Sequence, residues 1–229
     1  MLVCGVDVGA RTVEAVVADP AAPDGTTWRM ADTGHEPAGT ARRLFDEALA
    51  EHGASRGDVA CTVATGYGRA SIDFATRAVT EITCHARGVR HVVPDARTIV
   101  DIGGQDSKVI VLDEQGAVTD FAMNDRCAAG TGRFLEMVAR LLELDVADLA
   151  GVAEEASRVA EISSLCAVFA ETEVVGLLAR GTPRAEVVAG VHASVASRVA
   201  SLAARLRLAP PGVFTGGVAR NAAMGAALE

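Results

Sequence analysis

The feature that most constrains the fold of this chain is an internal repeat. The run Val6-Asp7-Val8-Gly9 recurs as Val100-Asp101-Ile102-Gly103, and a second apolar run follows each copy, at residues 13–18 and 109–112. A repeat of strand, tight turn and strand predicts a duplicated α/β fold with an intervening cleft. Pro94 and Asp95 mark the expected boundary, which gives an N-terminal lobe of residues 1–94 and a C-terminal lobe of residues 95–229.

Composition and charge exclude several classes of function. The formal net charge of the 229 residues is -9 and no basic tract is present, so nucleic acid is not an expected partner. No apolar run approaches the roughly 20 residues that span a bilayer, and the first residues lack the pattern of a signal peptide. We therefore expect a cytoplasmic protein with no membrane partner. Five cysteines without a CxxC pair favour a reducing compartment over a disulfide framework.

Hydrophobic periodicity predicts the same order of elements, three strands and a helix, in both halves. In the first half the predicted strands are residues 2–9, 12–19, 26–31 and 59–64, and the predicted helices are residues 38–52 and 80–89. In the second half the predicted strands are residues 98–102, 108–112, 117–123 and 212–215, and the predicted helices are residues 130–144, 146–159, 167–180 and 183–208 with a final one after Gly217.

Each Asp-x-Gly turn places a carboxylate beside backbone N–H groups that can meet phosphate oxygens. A single copy is equally typical of an ordinary hairpin, but two copies in register predict a site for a Mg²⁺-nucleotide. Asp7 and Asp101 are expected to bind the hydrated Mg²⁺, and Gln105 to orient an attacking water. Lys108, the only lysine, is a further candidate for this site. P-loop, Rossmann and nucleophile-elbow motifs are absent from the sequence.

Two cysteines are predicted to precede helices. Cys127 lies before Ala-Ala-Gly-Thr-Gly, and Cys166 lies before the apolar helix predicted at residues 167–180. Helix N-termini favour negative charge and therefore thiolate ligands, although spacing alone favours small buried hydrophobes at both positions. A cubane iron–sulfur cluster takes about four thiolates, so two such cysteines per chain would require a symmetric dimer. The other three cysteines, Cys4, Cys61 and Cys84, are assigned to packing.

Seven runs closely resemble the activators of 2-hydroxyacyl-CoA dehydratases, a family that includes the ATPase subunits of benzoyl-CoA reductase. The likeness covers nearly the whole chain, and it lies in ATGYGR (64–69), TEITCHARG (80–88), VDIGGQDSKVI (100–110), MNDRCAAGTGRFLE (123–136), ISSLCAVFAETEV (162–174), SVASRVASLAARL (194–206) and FTGGVARN (214–221). The resemblance implies the duplicated, ribonuclease-H-like two-lobe ATPase fold of actin, Hsp70 and the acetate and sugar kinases.

The resemblance also implies an activity. It implies a homodimer that holds one 4Fe-4S cluster through Cys127 and Cys166 of each subunit, with ATP or ADP in each cleft. A ferredoxin or flavodoxin would reduce the cluster, and ATP hydrolysis would drive one electron to the dehydratase. By position, the resemblance assigns Asp7 and Gly9 to the first phosphate loop, and Gly216 and Gly217 to an adenosine motif. It assigns the second phosphate loop to Asp101, Gly103, Gly104 and Gln105.

The first phosphate loop departs from the family pattern D-V-G-S-T followed by S-K. Ala10 lacks the usual hydroxyl, and Glu14 stands where the family has a lysine. Arg11 and Thr12 are the candidates to compensate. The departures put the expectation of ATP hydrolysis in doubt more than that of ATP binding. The sequence also ends at Glu229 without the family's closing strand and helix, which predicts exposed apolar surface on the first lobe.

Three alternatives remain open at the level of sequence. The chain is compatible with an ATPase subunit of a benzoyl-CoA reductase-type complex, because that complex shares the cysteine runs. A sugar-kinase-like phosphotransferase would use the same nucleotide cleft but needs a catalytic carboxylate for which no convincing candidate is found. A nucleotide-binding paralogue that does not hydrolyse ATP would explain Ala10 and Glu14.

Overall fold

The computed structural model describes residues 1–163 and 166–229, except for the side chains of Pro23 and Asp24. The chain forms two compact units, Met1–Gly88 and Val89–Glu229. Each unit contains one mixed β-sheet, and the first strand of each sheet carries one copy of the repeat.

The first unit is a five-stranded sheet with strand order β3-β2-β1-β4-β5. β1 pairs antiparallel with β2 and parallel with β4. The strands are β1 (Leu2–Val8), β2 (Thr12–Asp19), β3 (Ala22–Asp32), β4 (Val59–Thr65) and β5 (Arg77–Ala78), and the helices are α1 (Pro37–Glu51) and α2 (Glu81–Val92), which runs into the second unit.

Strict alternation along β1 and β2 separates the two faces of this sheet. Even-numbered residues of β1 and the odd-numbered residues 13–17 of β2 are buried, as the two-residue period of a strand requires. α1 covers this face with an apolar stripe that includes Leu44, Phe45 and Leu49. On the opposite face Val3, Val16, Trp28 and Met30 are exposed, so the first unit does carry exposed apolar surface.

The second unit repeats the arrangement with strand order β8-β7-β6-β9. β6 pairs antiparallel with β7 and parallel with β9, as β1 does with β2 and β4. Its elements are β6 (Thr98–Ile102), β7 (Ser107–Leu112), β8 (Val118–Asn124), α3 (Gly132–Leu141), α4 (Leu149–Glu154), α5 (Ala167–Ala179), α6 (Arg184–Ala203), β9 (Gly212–Thr215) and α7 (Ala222–Leu228).

The core of the second unit lies between its sheet and the long helices. Phe134 and Val138 of α3 pack in one buried cluster with Val191 and Val195 of α6. Every residue of β7 is buried, which explains its continuous apolar run. Across the described ranges no helix, α6 included, combines the length and the apolar character needed to cross a membrane.

Three predicted helices are longer than the helices of the structure. The helix predicted at residues 183–208 ends at Ala203. In place of one helix over residues 146–159, a 3₁₀ turn and the six-residue α4 end at Glu154. The chain then leaves the helix because Ser157 Oγ donates to the Glu186 carboxylate and the Ala160 N–H donates to the Glu186 carbonyl. The helix predicted at residues 130–144 starts at Gly132 and ends at Leu141, after a separate 3₁₀ turn, Ala128–Gly130.

Candidate functional site

The second turn, residues 103–106, places a buried carboxylate at the end of β6. The Gly103 N–H donates to the Asp106 carbonyl at 2.9 Å and closes the turn. Lys108 reaches back from β7, with its Nζ 2.7 Å from an Asp106 oxygen and 3.5 Å from an oxygen of Asp101. Thr215 Oγ1 donates to the other Asp101 oxygen at 3.2 Å. Asp101 is therefore held in one position by a cation and a hydroxyl.

The two glycines assigned to an adenosine motif differ in their surroundings. Gly216 has a φ of +89°, and a Cβ there would lie 2.3 Å from the Ile102 carbonyl oxygen and 2.7 Å from an Asp101 oxygen. A Cβ on Gly217 would meet nothing within 4 Å. The backbone conformation and the surrounding atoms therefore require glycine at position 216 but not at position 217. Gly104 and Gln105 are half-exposed in the second turn.

The first turn, residues 9–12, has the same closure. The Gly9 N–H donates to the Thr12 carbonyl at 2.9 Å, and Asp7 stands at the end of β1. Thr65 lies opposite Asp7 on β4, as Thr215 lies opposite Asp101 on β9. The next residue, Gly66, has a φ of +81°, and a Cβ there would lie 2.3 Å from an Asp7 oxygen. The duplication thus extends to a Thr-Gly pair packed over each aspartate.

Glu14 is where the two turns differ in charge. The strand register sets Glu14 opposite Asp7, at the position that Lys108 occupies opposite Asp101. Burial raises the pKa of Glu14, while a hydrogen bond from the Thr12 hydroxyl opposes that rise. The Thr12 hydroxyl is therefore engaged in a hydrogen bond with Glu14. Arg11 is exposed, and its Nε lies 4.0 Å from Asp32 Oδ1. The first turn has two facing carboxylates where the second has a carboxylate and an ammonium group.

Backbone hydrogen bonds join the second turn to α3. The N–H groups of Gly132 and Arg133, in the first turn of α3, donate to the carbonyls of Gly103 and Gly104, each at 2.9 Å. The first N–H groups of a helix have no partner within it, so the turn supplies what the helix start requires. A Cβ on Gly132 would lie 3.2 Å from the Gly103 oxygen, which leaves little room for another residue.

Cys127 is held at the other end of this segment by a side chain. Asn124 Nδ2 donates to the Cys127 carbonyl at 2.8 Å, and the Cys127 N–H donates to Asn124 Oδ1 at 3.2 Å. Cys127 precedes the 3₁₀ turn Ala128–Gly130 rather than the α-helix itself. The helix-start environment expected for this cysteine is therefore provided by a single 3₁₀ turn.

Cys166 is exposed and immediately precedes α5, as predicted. The 3₁₀ turn after Cys127 packs against α5, so the two cysteines begin adjacent elements. α5 buries only Ala170 and Val174 fully, whereas Val168 and Phe169 are 66% and 68% exposed. A helix that is apolar on nearly all sides normally has partners on nearly all sides. The exposed side of α5 is suited to contact another chain.

Positive charge predominates around Cys127. It shares a cavity of about 580 Å³ with Arg126, Arg198 and Arg205 and with one carboxylate, Asp125, whose Oδ1 lies 3.9 Å from Arg126 Nε. Three guanidinium groups against one carboxylate favour an anionic group there, although the chain as a whole carries a net charge of -9. Within the described residues no group of three or more His, Cys, Asp or Glu side chains is arranged to hold a metal. Cys4, by contrast, is buried in the first core, and burial raises the pKa of its thiol to about 11.

Sequence reasoning missed four polar residues of these sites, Thr65, Asp106, Ser107 and Asn124. The Thr65 and Ser107 hydroxyls are buried and have no hydrogen-bond partner in the described part of the chain. Thr65 had a detectable signal, because Thr65-Gly66 matches Thr215-Gly216 in sequence. Asp106 and Asn124 act through hydrogen bonds that close local turns, at Gly103 and at Cys127. No short sequence motif indicates such bonds.

Two Asp-x-Gly turns on the first strands of two matching mixed sheets define an α/β protein of the actin-like ATPase class. The model of the BadF/BadG/BcrA/BcrD ATPase family matches residues 4–229, and the chain belongs to this family.

Relatives within this class have names that agree with one another. The chain is 46% identical over 224 residues to the activator of lactoyl-CoA dehydratase from Anaerotignum propionicum, covering 97% of this chain and 85% of the relative. It is similar to the crystal structure of component A of (R)-2-hydroxyglutaryl-CoA dehydratase from Acidaminococcus fermentans, with 40% identity, a TM-score of 0.90 and coverage of 100% and 87%. The activator of 2-hydroxyisocaproyl-CoA dehydratase from Clostridium difficile, solved with bound ADPNP, is 39% identical with a TM-score of 0.86 and coverage of 100% and 84%.

Alanine substitutions at the two neighbouring glycines should have different effects. Gly216→Ala places a Cβ against the Ile102 carbonyl at a positive φ, so we expect a loss of about 2–4 kcal/mol of unfolding free energy. Gly217→Ala meets open space and should change stability by less than about 1 kcal/mol. Urea unfolding of both variants measures the difference, and equal stability losses would contradict the geometry.

Lys108 should stabilise the second turn as part of a buried ion network. Lys108→Met removes the ammonium group from the buried Asp101 and the half-buried Asp106, so we expect a loss of about 3–5 kcal/mol. The double variant Lys108→Met/Asp106→Asn should recover part of that loss, with a coupling energy of about 1–3 kcal/mol in a double-mutant cycle. Exposed Arg140→Met is the control. Additive effects of the two substitutions would show that the pair does not interact.

Proposed function

We propose that this chain is an ATP-dependent activator that transfers one electron to a 2-hydroxyacyl-CoA dehydratase. Membership of the ATPase family and the names of its relatives support the class of activity. The observation that carries the proposal to this chain is the pair of hydrogen bonds from Gly132 and Arg133 to the second turn. Through them a change at a bound phosphate would reach the segment that begins at Cys127.

The nucleotide part of the proposal assigns roles to the two turns. Asp7 and Asp101 would bind the hydrated Mg²⁺ of ATP, and Gln105 would orient the attacking water. The unsatisfied Thr65 hydroxyl belongs to the residue opposite Asp7 on β4, and the unsatisfied Ser107 hydroxyl belongs to the first residue after the second turn. Such buried groups normally have a ligand or water partner. Gly9, Gly103 and Gly104 would present backbone N–H groups, and Gly216 and Gly217 would approach the adenosine.

The cysteine part of the proposal requires a second subunit. Cys127 and Cys166 fit the thiolate chemistry of a 4Fe-4S cluster because they begin adjacent elements, and because Cys127 shares its cavity with three arginines. Two cysteines per chain supply half of about four ligands, and a homodimer would supply the rest. The exposed Val168, Phe169 and Val175 of α5 are the proposed apolar contact. Such a cluster supplies one-electron redox chemistry near the protein surface.

In the proposed reaction, a ferredoxin or flavodoxin is oxidised by one electron and the dehydratase is reduced by one electron. Hydrolysis of ATP supplies the free energy of the uphill transfer. The chain's own contribution would be to hold the Cys127 backbone through the two hydrogen bonds with Asn124 and to move this segment with α3. An ATPase subunit of a benzoyl-CoA reductase-type complex would use the same parts, and co-purification with reductase subunits would identify it.

Removal of single cysteines tests the cluster. After anaerobic reconstitution we expect about four iron and four sulfide per dimer in the unchanged protein, and loss of both in Cys127→Ala and Cys166→Ala. Cys84→Ala, a half-buried cysteine on α2, is the matched control and should retain the cluster. Iron and sulfide assays combined with light scattering provide the measurement. Full iron content in Cys127→Ala would contradict the proposal.

A nucleotide-binding protein that does not hydrolyse ATP is a second candidate, and the facing pair of Asp7 and Glu14 favours it. Two carboxylates opposite each other repel a phosphate chain unless a cation or proton intervenes. ATP hydrolysis that disappears in both Asp7→Asn and Asp101→Asn would exclude this candidate. ATP binding without turnover would support it.

A further inference from the structure

His192 is a buried histidine of α6 whose two ring nitrogens both have partners. It is 2% exposed, its Nδ1 lies 2.8 Å from the Val188 carbonyl oxygen, and its Nε2 lies 3.0 Å from Asn221 Nδ2. A carbonyl oxygen only accepts and an amide nitrogen only donates, so Nδ1 carries the proton and Nε2 accepts. The surroundings therefore select one tautomer of the neutral ring.

Asn221 is fixed in turn by the helix that follows it. The Met224 N–H donates to Asn221 Oδ1 at 3.0 Å, so this side chain caps α7 and directs its Nδ2 to His192. A continuous chain of hydrogen bonds thus runs from the start of α7 through Asn221 and His192 to a carbonyl of α6. With seven residues, α7 is too short to be stable alone and depends on such contacts.

Asn221 also closes the turn that follows the last strand. Its N–H donates to the Val218 carbonyl at 2.9 Å and ends the 3₁₀ turn Gly217–Arg220. Gly216, just before this turn, is packed against the end of β6. The buried Val218 packs at the start of α3, where a Cβ on Gly132 would lie 3.2 Å from Val218 Cγ2. The turn therefore contacts β6 and α3, and Asn221 joins it to α6.

We propose that His192 is a positioning residue for the adenosine side of the nucleotide site, which it holds in place through Asn221. The inference rests on the proposed function, which assigns Gly216 and Gly217 to adenosine. The phosphate side is held separately, because Asp101 and the second turn are fixed by Lys108. Loss of the His192 hydrogen bond should therefore weaken recognition of the adenosine group and leave recognition of the phosphates intact.

Direct binding of a ligand is the competing explanation for His192. It lines a cavity of about 1070 Å³, whose other polar lining residues in the described part of the chain are the exposed Glu154 and Ser197. Both ring nitrogens of His192 are already engaged, so the ring has neither a donor nor an acceptor left for a ligand in that cavity. His192 therefore acts toward Asn221.

Leucine and glutamine at position 192 separate positioning from packing. His192→Leu removes the acceptor for Asn221, so we expect ATP to bind about 10-fold more weakly. His192→Gln supplies a carbonyl oxygen as acceptor, and ATP should bind it within about 2-fold of the unchanged protein. Tripolyphosphate, which lacks adenosine, should bind equally well to all three proteins, and its binding shows that the variants fold. Isothermal titration calorimetry with the Mg²⁺ complexes of both compounds gives the affinities.

Two further variants test the partner and the specificity of the effect. Asn221→Ser keeps a helix-capping oxygen but removes the amide donor, so it should bind ATP about as weakly as His192→Leu does. The double variant should be no weaker than either single variant, because both remove the same hydrogen bond. Exposed His91→Leu, the same substitution in the same unit, should bind ATP as the unchanged protein does.

The tautomer is tested without any nucleotide. In protein labelled with ¹⁵N-histidine, the ring signals that disappear in His192→Gln belong to His192. At about pH 8 their chemical shifts should show the proton on Nδ1. A proton on Nε2 would contradict the hydrogen bond from Asn221 and overturn the inference.

The binding data have outcomes that separate this inference from the proposed function. The inference is overturned if His192→Leu or Asn221→Ser binds ATP as tightly as the unchanged protein, which leaves the proposed function intact. It is also overturned if His192→Leu loses tripolyphosphate binding to the same degree as ATP binding. An unchanged protein that does not bind ATP would overturn both proposals.

Discussion

The arrangement of the second unit depends on how α3 begins. A helix start exposes N–H groups that need acceptors, and in this protein two of them use the carbonyls of Gly103 and Gly104. The turn that presents those carbonyls is itself fixed by Lys108, which binds the carboxylates of Asp106 and Asp101. The helix α3, the second turn and the strand β6 before it are therefore joined by one continuous set of hydrogen bonds and ion pairs. Any rearrangement of the turn must either break these hydrogen bonds or move α3.

Cys127 is joined to the same set of contacts, because it lies just before the 3₁₀ turn that precedes α3. Asn124 terminates β8 and holds the backbone of Cys127 on both its N–H and its carbonyl. The 3₁₀ turn that follows packs on α5, which begins at Cys166. In the proposed activator, phosphate state and cysteine position are thus linked by backbone hydrogen bonds over a short stretch of chain. The first unit has no cysteine pair of this kind among its described residues, and its turn differs instead in charge, at Glu14.

The sequence predicts the strands better than the helices. The strands at Thr12–Asp19, Thr98–Ile102 and Gly212–Thr215 are confirmed residue for residue, because alternating or fully apolar runs end at turn residues. The α4 region is predicted too long, because contacts with Glu186 of a distant helix end it early. Asp7 and Asp101 are detectable through the repeat. The strand register places Glu14 and Thr65 opposite Asp7 on the two neighbouring strands. The sequence alone does not reveal these pairings, because the register joins residues on separate strands.

The central claim is that the nucleotide state at the turns reaches the cysteine segment through α3. The most direct test is EPR of the anaerobically reconstituted, dithionite-reduced protein, recorded with Mg-ADP and with Mg-ADPNP. The account predicts a cluster signal whose shape or g-values differ between the two nucleotide states, because α3 and the Cys127 segment move with the turn. A cluster signal that is superimposable in both states, with both nucleotides bound, would contradict it.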